Sequence, residues 1–236
     1  MVRLMNKQLT INGEALLLCE RLEMAQFVHV YLQYLFRQGI SLPTVQLLNY
    51  RSLQQLEGLA KRLSNIPGSK QVQRVLIFAD AQNDLENRRN KVLDMRSSDF
   101  FRTRDYCAHF FFPGRIAGRR WLGGYLEDLL VEALKRDTPE YGDFINMKNI
   151  AREYLMCIEN NRGTDHRLSN YNRHLLYTYF AGTEKFVGCT IAEAAKLGAF
   201  DFEHVGFVEL KKFILGLGQG VSGQALRIFR GEQING

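Results

Sequence analysis

The chain has few cysteines and no long apolar run. Its four cysteines, Cys19, Cys107, Cys157 and Cys189, lie far apart in 236 residues and form no CxxC pair. That argues against a zinc knuckle, a thioredoxin-type redox pair and a disulfide framework; buried free thiols are the expectation. No stretch approaches the roughly 18 apolar residues of a membrane span. Arg3 and Lys7 precede no apolar core before Glu14, so no secretory signal is expected either. A soluble, cytoplasmic protein without a membrane partner is the expectation. Several engines are missing as motifs. There is no GxxxxGK[ST] phosphate loop, no GxSxG nucleophile elbow and no HExxH zinc helix among the five histidines. His109 sits inside an apolar run, where a satisfied core histidine is expected. A GxGxxG string occurs at Gly218–Gly223, but a helical pattern precedes it, so the strand that a dinucleotide fingerprint requires is lacking.

The composition is that of a folded globular chain, with 46% hydrophobic and 24% charged residues. The net charge is +6 and the pI about 9.2, which favours polyanions such as nucleic acid or phosphate ligands.

The first half alternates short apolar runs with helical patterns. Strands are predicted over Ala15–Cys19, Val45–Tyr50, Gln73–Ala79 and Cys107–Phe112. Between them lie an amphipathic helix from about Met24 to Gln38, a helix N-capped by Ser52 and ending near Leu63, and a charged helix from Asp84 to about Met95. Strands apolar on both sides and separated by helices predict an α/β fold: a mostly parallel four-stranded sheet covered on both faces. After Gly114 the pattern is helical: Tyr125–Lys135, Phe144–Asn160, Asn172–Phe180, Ile191–Leu197 and Val205–Leu215, with no strand expected. The division predicted is an α/β domain over residues 1–137 and a helical region over 138–236, with a mobile tail from Gly216.

In open parallel sheets ligands bind beyond the carboxyl ends of the strands. The first predicted strand runs into Glu20, Arg21 and Glu23. The third runs into Asp80, Gln82 and Asp84. The fourth runs into Pro113-Gly114 and a basic loop with Arg115, Arg119 and Arg120, followed by Glu127. Clustered carboxylates repel one another unless a cation joins them, so this rim predicts either a hard divalent metal or an arginine partner. Asp84 also suits a plain helix cap, and the three loop arginines also suit a solvated surface.

The order and spacing of these acids resemble the TOPRIM domain. That domain is shared by topoisomerases, primases, repair proteins and nucleases of the overcoming-lysogenization-defect type. The resemblance covers roughly residues 14–135, and the chain looks like the stand-alone bacterial and archaeal members. LLLCERLE matches a first motif close to hhhEGxxD, with Glu20 and Glu23 as its acids and Arg21 in place of glycine. LIFADAQND matches hhhDADxD, with Asp80 and Asp84 retained and Gln82 in place of the middle acid. FFFPG followed by GGYLEDLL places Glu127 as a further acid. The resemblance implies Mg²⁺ or Mn²⁺ held by Glu20, Asp80, Asp84 and Glu127, with Glu20 and Asp80 catalytic in phosphodiester hydrolysis. Arg21, Arg115, Arg119 and Arg120 would hold the backbone of DNA or RNA. It also implies a setting in phage defence or a mobile element. The alternative is a degenerate module that binds nucleic acid or an ATPase partner without cutting, and Arg21 and Gln82 favour it.

Overall fold

The computed structural model describes residues 10–114, 123–135, 144–162, 168, 170–217 and 228–230. Four strands follow the four apolar runs: β1 (Ala15–Cys19), β2 (Val45–Asn49), β3 (Arg74–Asp80) and β4 (Tyr106–Phe112). Three residues of the tail add β5, Ile228–Arg230. All pairings are parallel, in the order β4-β3-β1-β2-β5. The fold is Rossmann-like α/β, as the alternation predicts. β5 was not expected: three residues at the end of a glycine- and glutamine-rich stretch carry too short a pattern to register as a strand.

Three helices connect the strands. α1 (Leu22–Arg37) links β1 to β2, α2 (Leu53–Leu63) links β2 to β3, and α3 (Leu85–Arg96) links β3 to β4, with the short α4 (Asp99–Arg102) behind it. The Ser52 side chain accepts from Gln55 N–H, as its N-cap role requires. Alternate residues of each strand face opposite layers. Leu17, Cys19, Leu76, Phe78 and Phe112 join the layer of α1, while Leu16, Leu18, Ile77, Ala79 and Phe111 join that of α2, α3 and α4.

The helices of the second half are α5 (Leu126–Glu132), α6 (Phe144–Arg162), α7 (Tyr171–Ala181), α8 (Ile191–Lys196) and α9 (Val208–Leu215). They share one continuous apolar cluster with α1 and its face of the sheet. An aromatic seam joins them: Phe27 meets Phe200 edge-on at 6.3 Å, and Phe78 meets Phe213 at 5.3 Å. Among the described residues no helix is long and apolar enough to cross a membrane.

Candidate site at the carboxyl ends of β1 and β3

β1 lies between β2 and β3, and the chain leaves β1 towards β2 before crossing back to β3. The ends of β1 and β3 therefore flank the point where the winding reverses, which is where such sheets open a crevice. Glu20 and Asp80 leave the sheet there. Both are buried, at 4% and 2% exposure, and Glu127 of α5 is fully buried beside them. Three acids distant in sequence thus gather at one place.

Backbone pairing sets their positions. Glu20 N–H continues the ladder by donating to Phe78 O, and Asp80 N–H donates to a Glu20 carboxylate oxygen at 3.0 Å. After β3 the chain turns through Gln82, whose φ of 53° is left-handed, and Gln82 exchanges both main-chain hydrogen bonds with Gly124. Gly123 and Gly124 have φ of 107° and 133°. A Cβ on Gly123 would sit 2.0 Å from Gln82 O, and one on Gly124 would sit 2.5 Å from an Asp128 oxygen. Only glycine tolerates both the conformation and the approach. The bridge brings the start of α5 against β3, so that Leu126 N–H donates to Asp80 Oδ1 at 2.8 Å. Asp128 accepts from Tyr125 N–H at that helix start and from the Asn172 side chain.

Two arginines fill the space among the acids. Arg21 holds Glu127 with two parallel bonds of 2.8 and 3.0 Å, and its Nη2 also lies 2.9 Å from Asp80 Oδ2. One guanidinium therefore bridges two buried carboxylates in the bidentate geometry suited to it. Arg88 of α3 binds both oxygens of Glu20 and donates through Nε to Asp80 O. Outside this pair, Glu23 accepts from Arg173 and Tyr177.

The electrostatics follow. Burial opposes the charge of Arg21, but its bonds to Glu127 and the field of Asp80 outweigh that and hold it firmly protonated. Burial alone would raise Glu127, yet Arg21 keeps it below the usual carboxylate range. Asp80 goes the other way. Burial lifts it to about 7, helped by Glu127 and Glu20 and opposed by Arg21 and the Leu126 N–H.

A cavity of about 430 Å³ opens over this cluster. Glu20, Arg21, Asp80 and Gln82 line it together with Arg51, Tyr125, Asn170, Arg173 and His174. Arg51 follows β2 and is exposed, so the end of β2 also contributes a cation to the same mouth.

Asp84 does not join the cluster. Asp84 is exposed and caps α3, accepting from Asn87 N–H at 3.1 Å, the plain capping role. Arg115, Arg119 and Arg120 fall outside the described residues, as does the Gly218–Gly223 string. α7 is capped two residues before Asn172, the expected helix start: Asn170 accepts from Arg173 N–H. Arg88 was missed altogether. It lies on a helix polar nearly all round, where no periodicity separates it from its charged neighbours.

Mg²⁺ needs several free oxygen donors in octahedral array. Here the facing oxygens of Asp80 and Glu127 are taken by Arg21 and those of Glu20 by Arg88. Among the described residues no group of three or more His, Cys, Asp or Glu side chains is disposed to hold a metal ion. The residues as arranged do not fit a divalent cation, since Arg21 stands where it would have to sit. No family model, curated protein or solved structure matches the chain.

Proposed function

We propose that this chain is a TOPRIM-like module that binds the phosphate backbone of nucleic acid at the carboxyl ends of its sheet without cutting it. The carrying observation is the seat of Arg21: a guanidinium bridges Asp80 and Glu127, the pair to which the resemblance assigns a metal. Arg21 and Arg88 together offset two of the three acid charges from within, and burial pushes Asp80 toward its neutral form. The cavity over them presents Arg51, which is exposed, and Arg173, which also holds Glu23, from two separate elements, together with His174. A phosphodiester offers the charge and the paired oxygens that such guanidinium groups recognise. The net charge of +6 would draw a polyanion to that mouth. An ATPase partner would supply any work the assembly does, because the sequence carries no phosphate loop of its own.

The gathering of Glu20, Asp80 and Glu127 at the winding reversal favours a second reading, a Mg²⁺-dependent phosphodiesterase in phage defence or a mobile element. Fluorescence anisotropy with a labelled single-stranded oligonucleotide, with and without Mg²⁺, separates the two. The binding module predicts retention without cleavage. Affinity should fall with salt at a log–log slope of about −0.7 per phosphate contacted, and Arg51→Glu should weaken it about ten-fold or more. Mg²⁺-dependent cleavage that Asp80→Asn abolishes would replace the first reading with the second. Failure to bind at low salt would overturn both.

A further inference from the structure

β4 lies at the edge of the sheet, and among the described residues it pairs only with β3. Ladder alternation decides which of its peptide groups face outward. Tyr106 N–H donates to Gln73 O, and Phe112 O accepts from Ala81 N–H, so the even-numbered residues turn inward. Cys107, His109 and Phe111 turn outward. Gly114 N–H takes the Phe111 carbonyl, which leaves both peptide groups of Cys107 and His109 and the N–H of Phe111 facing the edge.

A groove of about 710 Å³ runs along this edge. His109, Phe110 and Phe111 line it from β4, with Arg89 of α3 on one side and Glu209 and Lys212 of α9 on the other. Within it lies an unmet polar atom: the His109 Nδ1 is buried and has no hydrogen-bond partner. Burial, aided by Arg96 and Arg89, holds that imidazole near a pKa of about 4, so it is neutral at physiological pH. A neutral imidazole carries one donor and one acceptor nitrogen. The satisfied core histidine expected from sequence is therefore not what the fold contains.

We propose that the β4 edge pairs antiparallel with the same edge of a second copy of this chain, about a two-fold axis at His109. Pairing about that point sets Cys107 of one copy opposite Phe111 of the other, and His109 opposite itself. The two His109 residues then exchange both main-chain hydrogen bonds, and each Phe111 N–H donates to the Cys107 carbonyl of the other copy, with paired Cα atoms about 5.5 Å apart. The two histidines fall side by side on one face, where a turn of each ring about χ2 would bring its unmet nitrogen toward the other. The groove wall also suits its own copy. Glu209 and Lys212 stand one turn apart with an internal contact of 3.4 Å, and a two-fold rotation reverses their order, so acid meets base across the axis. Arg89 is exposed and can turn its charge to solvent. A strand of some other protein would find the same ladder, but not the matched histidine or the exchanged charges.

Sedimentation equilibrium of the full chain at micromolar concentration tests this. A dimer is expected. Lys212→Glu, on an exposed side chain, should weaken it about ten-fold by setting acids against acids. The double variant Glu209→Lys/Lys212→Glu should restore it. His109→Pro removes the central outward N–H, which the fold itself does not use, and should give a folded monomer by circular dichroism. A wild-type monomer throughout the range would overturn the proposal, as would a dimer whose affinity neither Lys212→Glu nor His109→Pro alters. The outcome is independent of nucleic-acid binding, which occupies a different end of the sheet.

Discussion

Arg21 is the residue on which the site turns. A buried carboxylate without a partner costs several kcal/mol, and three together cost more. Arg21 and Arg88 remove that cost at Glu20 and Glu127, but Asp80 shares its arginine with Glu127 and is left with a raised pKa of about 7. The sign of the linkage is definite. An acid raised on folding binds its proton more tightly in the native state, so its contribution to stability is largest below its ordinary value of 3.8 and is lost as pH climbs to about 7. At roughly 1.4 kcal/mol per unit this amounts to a few kcal/mol. Urea denaturation across that window should show Asp80→Asn losing less stability than wild type as pH rises; equal slopes would show that Asp80 does not titrate there. Glu20, Asp80 and Glu127 were legible in the sequence because each follows an apolar run or opens a helix. Arg21 was legible only as a departure from the motif. Its seat between two acids was not, because a long side chain can reach several partners and only the fold selects one. Asp84 carried the same local signal as Asp80, but it lies four residues beyond the strand end, far enough to put it on the surface as a cap.

Among the elements, the junction between β3 and α5 positions the site. Gln82 and Gly124 clasp the two segments, and the clasp presents Leu126 N–H to Asp80. Gly124→Ala would force a Cβ to within 2.5 Å of an Asp128 oxygen and 2.9 Å of Pro113 Cδ, at a φ of 133°. It should destabilise the chain by about 2 kcal/mol or more in urea denaturation, within the range for strained backbone. A loss under about 0.5 kcal/mol would mean that the clasp yields freely and does not fix α5. The strands and the first three helices were legible because their apolar periodicity is strong. The clasp was not, since its partners lie some forty residues apart and its signal is only a pair of glycines. β5 was hidden for a related reason: its pairing with β2 is long-range and its run is three residues.

At the scale of the whole molecule, the helical half covers one face of a parallel sheet, and the acids of the winding reversal lie beneath a mouth lined by arginines. The fold class followed from the alternation of strands and helices. The chemistry at the strand ends did not, because the same acids serve a metal or a guanidinium depending on which cation the fold delivers first. The central claim is that Arg21 holds the cation position. It is tested most directly by thermal melting in millimolar Mg²⁺ or Mn²⁺ against a monovalent salt of equal ionic strength, since a ligand of the native state raises its melting temperature. The wild-type chain should melt at the same temperature in both, while Arg21→Gly should melt lower in the monovalent salt and regain stability with the divalent ion. A divalent-specific rise in the wild-type melting temperature would contradict the account.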